Sequence, residues 1–162
     1  MSCTSRAEAE AAAAINDSAI GEGFARALGC RVVEWAPGRV EVELALGPQH
    51  LNRAGSVHGG VLATLIDVAC TLAGLYSGSP ERVRKAVTLS LNTSFTGQVA
   101  TGTLRARGRV RVGGRSIFFA TTEVTDAAGH AIAHGETVNR YRRGSEEADG
   151  ASPEEPTDEV NA

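Results

Sequence analysis

Residues 61–76 read VLATLIDVACTLAGLY, a run with apolar side chains on almost every face of a helix and one charge, Asp67. The run is too long for a single strand. Interrupted by Asp67, it also falls short of the roughly 20 apolar residues that span a bilayer. The spacing therefore predicts a buried helix and no transmembrane segment, and the rest of the chain must supply surfaces to cover it.

Upstream, Val32-Val33-Glu34-Trp35, the turn pair Pro37-Gly38, and Val40, Val42, Leu44 and Leu46 alternating with Arg39, Glu41 and Glu43 predict a β-hairpin. Downstream, Pro80 and the charges Glu81, Arg82, Arg84 and Lys85 mark a loop. Four alternating segments follow, at 86–95, 102–112, 115–125 and 131–141. Residues 6–28 carry Ile15, Ile20, Phe24 and Leu28 among alanines, which predicts a helix weakened by Gly21 and Gly23, frayed at its start and docked in its second half. The order is helix, two strands, long buried helix, four strands. It fits an α+β fold in which one antiparallel sheet wraps around a central helix. A strict two-residue turn at Gly113-Gly114 would put Glu123 on the same face as Leu104 and Val110, so a bulge or a longer loop is expected there.

A length of 162 residues suits one domain. We expect a helical or frayed extension over 1–22, the domain over 23–143, and a disordered acidic tail over 144–162, where Ser, Glu, Asp and Pro show no apolar period. Sixteen basic against nineteen acidic residues give no reason to expect nucleic acid or a membrane surface as partner. Cys3, Cys30 and Cys70 have no metal-type spacing, and the start of the chain lacks the pattern of a signal peptide, so free thiols and a cytoplasmic location are expected. His50, His130 and His134 are scattered without cysteine partners, which gives no metal site. Gly21-Glu22-Gly23 lacks the third glycine of a dinucleotide fingerprint, and no Gly-x-Ser-x-Gly elbow is present.

The segment that carries chemistry runs from Asn52 through His58-Gly59-Gly60 into the helix. Glycines at a helix start let backbone approach a ligand, and the free N–H groups of the first turn make an oxyanion site. His58, at the helix entry, reads first as a capping or packing residue. Asp67 is costly in a buried apolar helix unless partnered, which points to a general base or a nucleophile. Gly59 and Asp67 are eight residues apart, about 12 Å along a helix, so one chain can hardly aim both at one carbonyl. A site shared between two subunits around a two-fold axis follows as an expectation.

Asn52, His58-Gly59-Gly60 and Ile66-Asp67, with Ala133-His134-Gly135-Glu136-Thr137 in the last strand, resemble the hotdog-fold thioesterases of the phenylacetate-degradation (PaaI-type) and human acyl-CoA thioesterase groups, over roughly residues 25–142. The resemblance implies hydrolysis of an acyl-coenzyme A. Asp67 would be base or nucleophile, Gly59 the oxyanion donor, and Asn52 and His58 would position the thioester. Thr88 would stand where some members hold the water with serine. Beside Gly60, the resemblance puts the Gly114-Arg115-Ser116 turn near coenzyme A. Among the exposed arginines 105, 107, 109, 111 and 115, Arg115 is the better candidate for its phosphates. Coenzyme A would arrive as part of the substrate with no separate cofactor, and the assembly would be a dimer or a dimer of dimers. Two other readings stand beside this one: a hydratase or dehydratase acting on acyl thioesters, although no His-Phe-Pro-type signature is present, and an acyl-CoA-binding module without catalysis. The acyl group is left open.

Overall fold

The structure, a computed structural model, describes residues 14, 19–78 and 82–147. The expected extension and tail fall largely outside these residues. A short helix α1 (Phe24–Leu28) ends at Gly29, whose φ of 92° lets the Gly29 and Cys30 amides turn back onto Arg26 and Ala25 carbonyls. Its docking is by one edge. Ala25 and Leu28 pack against the core, while Phe24 is 70% exposed.

The hairpin forms as expected: β1 (Arg31–Ala36) and β2 (Arg39–Ala45) run antiparallel, with a bulge between Val32 and Glu34. Val40, Val42 and Leu44 point inward because they alternate with Arg39, Glu41 and Glu43, which take the opposite face. The remaining strands are β3 (Ala86–Phe95), β4 (Thr103–Gly113), β5 (Ile117–Thr125) and β6 (Ala131–Tyr141). The six make one antiparallel sheet in the order β1-β2-β4-β5-β6-β3, which leaves β1 and β3 as edges. The anticipated irregularity before Glu123 is present. The β4–β5 register shifts between Val110 and Val112, and residues 114–116 form the turn, so Glu123 stays exposed and pairs with Arg107.

The central helix α2 (Gly59–Leu75) lies on one face of this sheet, with Val61, Leu62, Leu65, Ile66, Ala69, Cys70 and Leu72 buried. It is not covered all round: Ala63, Thr64, Asp67, Val68 and Thr71 are only half-buried, so one stripe faces outward along the β3 edge. Glycines set how closely the helix can lie. A Cβ on Gly108 would come within 2.2 Å of the Ala69 carbonyl oxygen, and one on Gly135 within 2.8 Å of Ile66 Cγ2. The end of α2 is closed by side chains from other elements, which satisfy carbonyls that the helix itself leaves unpaired. Trp35 donates to the Leu72 oxygen at 2.8 Å, and Arg84 and the Tyr141 hydroxyl donate to the Gly74 oxygen at 2.9 and 3.0 Å.

Contacts continue past the last strand. Ser145 is fully buried and accepts from the Lys85 amide at 3.0 Å, so the docked chain passes the Gly144 boundary expected from composition. Among the described residues no helix is long and apolar enough to cross a membrane.

Candidate active site

The entry to α2 is built from the loop before it. His50 is buried; its Nδ1 accepts from the Gly47 amide at 2.9 Å, which leaves Nε2–H to donate to the Leu28 carbonyl at 2.9 Å. The His50 carbonyl then takes the His58 amide, and the Val99 carbonyl takes the Val57 amide, each at 2.8 Å. His58 is the N-cap: its Nδ1 accepts from the Gly60 amide at 2.9 Å. The Gly60 N–H is thereby occupied. That of Gly59, at the first helical position, has no acceptor among the described residues. The Phe95 ring stands beside Gly59, 3.4 Å from where a Cβ would lie.

Asn52 is turned into its own loop. Its Oδ1 accepts from the Ala54 and Ser56 amides, and its Nδ2 donates to the Ser56 hydroxyl at 3.1 Å. Within this chain Asn52 braces residues 52–56, with Gly55 at φ 78° completing the turn.

Two turns along α2, Asp67 meets the sheet edge. Thr88 of β3 donates to Asp67 Oδ1 at 2.7 Å, so these two residues are brought together. The carboxylate is half-buried with a hydroxyl partner, rather than sealed in the apolar core that the sequence suggested. Thr71, one turn further on, and the fully buried Asn139 of β6 join the same group: Thr71 Oγ1 and Thr88 Oγ1 lie 3.1 and 3.2 Å from Asn139 Oδ1. Sequence reading missed both. A usable signal was present, since Thr137 and Asn139 occupy inward positions on β6 where an apolar core would place Val or Leu.

Gly59 and Asp67 do not converge within one chain. Gly59 stands beside Phe95 at the end of β3, whereas Asp67 stands beside Thr88 near its start. A groove of about 720 Å³ lies on the sheet face turned away from α2, among Arg107, Arg109, Glu123, His134 and Glu136, and a pocket of about 460 Å³ sits at the end of α2. Neither is lined by Asp67, Thr88 or Gly59.

The arginine row turns out to be an ion-pair ladder across strands. Arg105 pairs with Glu43 at 3.0 Å and Arg107 with Glu41 at 2.7 Å; Arg31 shares Glu43, and Arg111 donates to Thr121. Exposed pairs of this kind contribute little each. Gly114, Arg115 and Ser116 form the exposed β4–β5 turn, closed by the Gly114 amide on the Ile117 carbonyl and tied to β6 by the Tyr141 amide on the Ser116 carbonyl. The structure does not bring this turn to Asp67 by any hydrogen bond among the described residues.

Comparison with known proteins gives this geometry its kinship. Residues 54–133, which hold the α2 entry, Asp67 and Thr88, match the family model described as the thioesterase superfamily. Human acyl-coenzyme A thioesterase 13 is 32% identical over 115 residues, covering 69% of this chain and 80% of that protein. Zebrafish thioesterase superfamily member 2 superposes with a TM-score of 0.66 at 28% identity, covering 85% of this chain and 99% of the other. A phenylacetic acid degradation protein from Thermus thermophilus superposes at 0.64 and 28% identity, covering 74% and 98%. With a six-stranded antiparallel sheet laid over one central helix, and with relatives of this identity and coverage, the chain belongs to the hotdog-fold enzymes of the thioesterase superfamily.

Proposed function

We propose that this protein hydrolyses an acyl-coenzyme A to the free acid and coenzyme A, with Asp67 as the carboxylate that drives the reaction. The observation that carries the reading is the Asp67–Thr88 pair at the open edge of α2, on the same helix whose first amide, that of Gly59, is unengaged. The names of the relatives support the substrate class. Asp67 takes a proton from a water held beside the Thr88 hydroxyl, or attacks the thioester carbonyl itself. The carbonyl oxygen, as it becomes negative, is met by the Gly59 N–H, reinforced by the positive end of the helix. The thiolate leaves with little need of an acid. His58 holds the first turn in register by its cap, and Asn52 holds the loop that delivers it.

The reaction site is completed by a second copy of the chain. β3, with the sequence AVTLSLNTSF, is a ten-residue edge strand without a charge, and Leu91 and Phe95 are 39% and 54% exposed. The opposite edge, β1, is blunted by Arg31 and Glu34; both edges carry a bulge, that of β3 near its start between Thr88 and Ser90. An uncharged edge of this kind is a template for pairing. If β3 pairs antiparallel with the partner's β3 around Leu91-Asn92, the Phe95 end of one chain lies beside the Thr88 end of the other. The partner's Gly59 then faces Asp67, as the 12 Å argument requires. The Gly114-Arg115-Ser116 turn, with Arg115, is retained as the coenzyme A contact.

Thiol release from a panel of acyl-CoA esters tests the assignment. Asp67→Asn keeps the side-chain shape, removes the charge, and should lower kcat by about 10²–10⁴ with the fold intact by circular dichroism. Undiminished hydrolysis by purified Asp67→Ala would sink the proposal.

A further inference from the structure

The hydrogen-bond group around Asp67 has more acceptors than protons. Thr88 and Thr71 each carry one hydroxyl proton. The acceptors within reach are Asp67 Oδ1, 2.7 Å from Thr88; Asn139 Oδ1, 3.2 Å from Thr88 and 3.1 Å from Thr71; and Thr88 Oγ1 itself, 3.3 Å from Thr71. Each proton has two acceptors within reach, which allows four arrangements, and two of them matter here. In one, Thr88 donates to Asp67 and Thr71 to Asn139. In the other, Thr71 donates to Thr88, Thr88 turns its proton to Asn139, and Asp67 Oδ1 is released.

Asn139 is held for this part. It sits directly across from Thr88 in the β3–β6 ladder, it is fully buried, and its Nδ2 donates to Thr137 Oγ1, which fixes Oδ1 toward the two hydroxyls. Beside it, the Cys70 thiol meets Thr122 at 3.1 Å. A buried polar chain therefore runs from the sheet to the carboxylate, at positions where apolar residues would pack without the cost of satisfying polar groups.

We propose that Asn139 and Thr71 are positioning residues for the reaction, giving the Thr88 proton a second acceptor so that it swings off Asp67 as the carboxylate reacts. The inference rests on the reading of Asp67 given above. In the step itself, a water O–H bond breaks, the proton joins Asp67 Oδ1, the water oxygen bonds the thioester carbon, and the carbonyl π pair moves onto the oxygen that the Gly59 N–H meets; that pair then returns as the C–S bond breaks and the thiolate leaves. The Thr88 proton stays on Thr88 throughout and only changes acceptor. The same rotation frees the carboxylate oxygen if it attacks carbon directly.

A double-mutant cycle reads this out, with thiol release from phenylacetyl-CoA and hexanoyl-CoA as the assay. Thr71→Val is nearly isosteric and half-exposed, so it should fold, and it should lower kcat about tenfold with KM changed less than about twofold. Thr71→Ser, which restores the hydroxyl, should recover kcat. In a Thr88→Val background, Thr71→Val and Asn139→Leu should cause no further loss, because the proton they manage is gone. Unchanged kcat in Thr71→Val, or losses that multiply with that of Thr88→Val, would overturn the positioning role. Asp67→Ala is assayed in parallel. An inactive Asp67→Ala beside an unaffected Thr71→Val refutes this inference alone, whereas an active Asp67→Ala refutes the reading of Asp67 and this inference with it.

Discussion

A pair of separately inactive variants can decide whether Gly59 and Asp67 act across two subunits. Gly59→Pro is suited to this because the residue stands at the first position of α2, where proline is well tolerated and no intrahelical bond is lost. His58 before it has φ −70° and ψ 136°, the extended conformation that a following proline requires. The substitution removes one N–H and adds ring atoms beside Phe95, whose nearest atom is 3.4 Å from the Cβ position. Loss of one oxyanion donor should lower kcat by about 10²–10³. Asp67→Ala should lower it by about 10²–10⁴. The two variants, co-expressed with different tags and purified through both, give a heterodimer. If the site is shared, one of its two sites joins the intact Asp67 of the first chain to the intact Gly59 of the second, so about half of the wild-type rate returns. If each chain builds its own site, both sites stay broken and the heterodimer turns over at about 1% of wild type or less. That second result, from a heterodimer of intact size, would refute the shared site and the β3 pairing behind it.

The packing of α2 on β4 makes Gly108→Ala destabilising by about 1–3 kcal/mol, because its Cβ would meet the Ala69 backbone oxygen at 2.2 Å and backbone cannot step aside like a side-chain tip. Thermal unfolding should show a fall of several degrees, with Gly113→Ala, which meets only Val110 at 3.9 Å, as the near-neutral control; equal midpoints would refute the close approach. Burial pushes the Cys30 thiol up to about 11 and raises that of Cys70 as well, so both are held neutral in the folded protein. Their peptides should stay unalkylated by iodoacetamide at pH 8 until denaturant is added; for Cys30 the smaller thiolate fraction alone slows reaction about 100-fold, and prompt labelling of the native protein would contradict the burial. The sign of the linkage is that stability from Cys30 is present below about pH 9 and is lost as pH rises through 11.

The frame of the fold was legible because it rests on period. Alternation along residues 39–45 and 103–113 and the unbroken apolar run of α2 each report burial locally, and a strand or helix answers to them without knowledge of its neighbours. Even the bulge near Val110 could be anticipated, since a face mismatch at Glu123 is a local contradiction. Asp67 was legible for the same reason: one charge in an apolar run stands out. Its surroundings were not, because the exposed stripe of α2 depends on where the sheet stops covering it, and that edge is set by β3, which is joined to β6 across about 45 residues of chain.

The arginine row and Asn139 show the two ways a side chain can mislead when only its strand is known. The row looked available for phosphate, yet Glu41 and Glu43 on the neighbouring strand already engage Arg105 and Arg107, through a register that only the β2–β4 ladder fixes. Asn139 lies in Val-Asn-Arg-Tyr, where nothing local marks it off from its polar neighbours. It is fully buried, and its partners come from a helix and a strand about 50 to 70 residues away. A buried amide must be satisfied at both ends or it costs about 1–3 kcal/mol for each group left unpaired. Thr137 meets one end and Thr71 with Thr88 the other, so the amide is held in place by the same hydroxyls that reach Asp67. Stability and chemistry are thus tied at one residue. Asn139→Leu takes the amide away from the buried Thr137 hydroxyl and from the Thr71 and Thr88 hydroxyls at once, so it should cost about 1–3 kcal/mol in denaturant unfolding together with a loss of turnover.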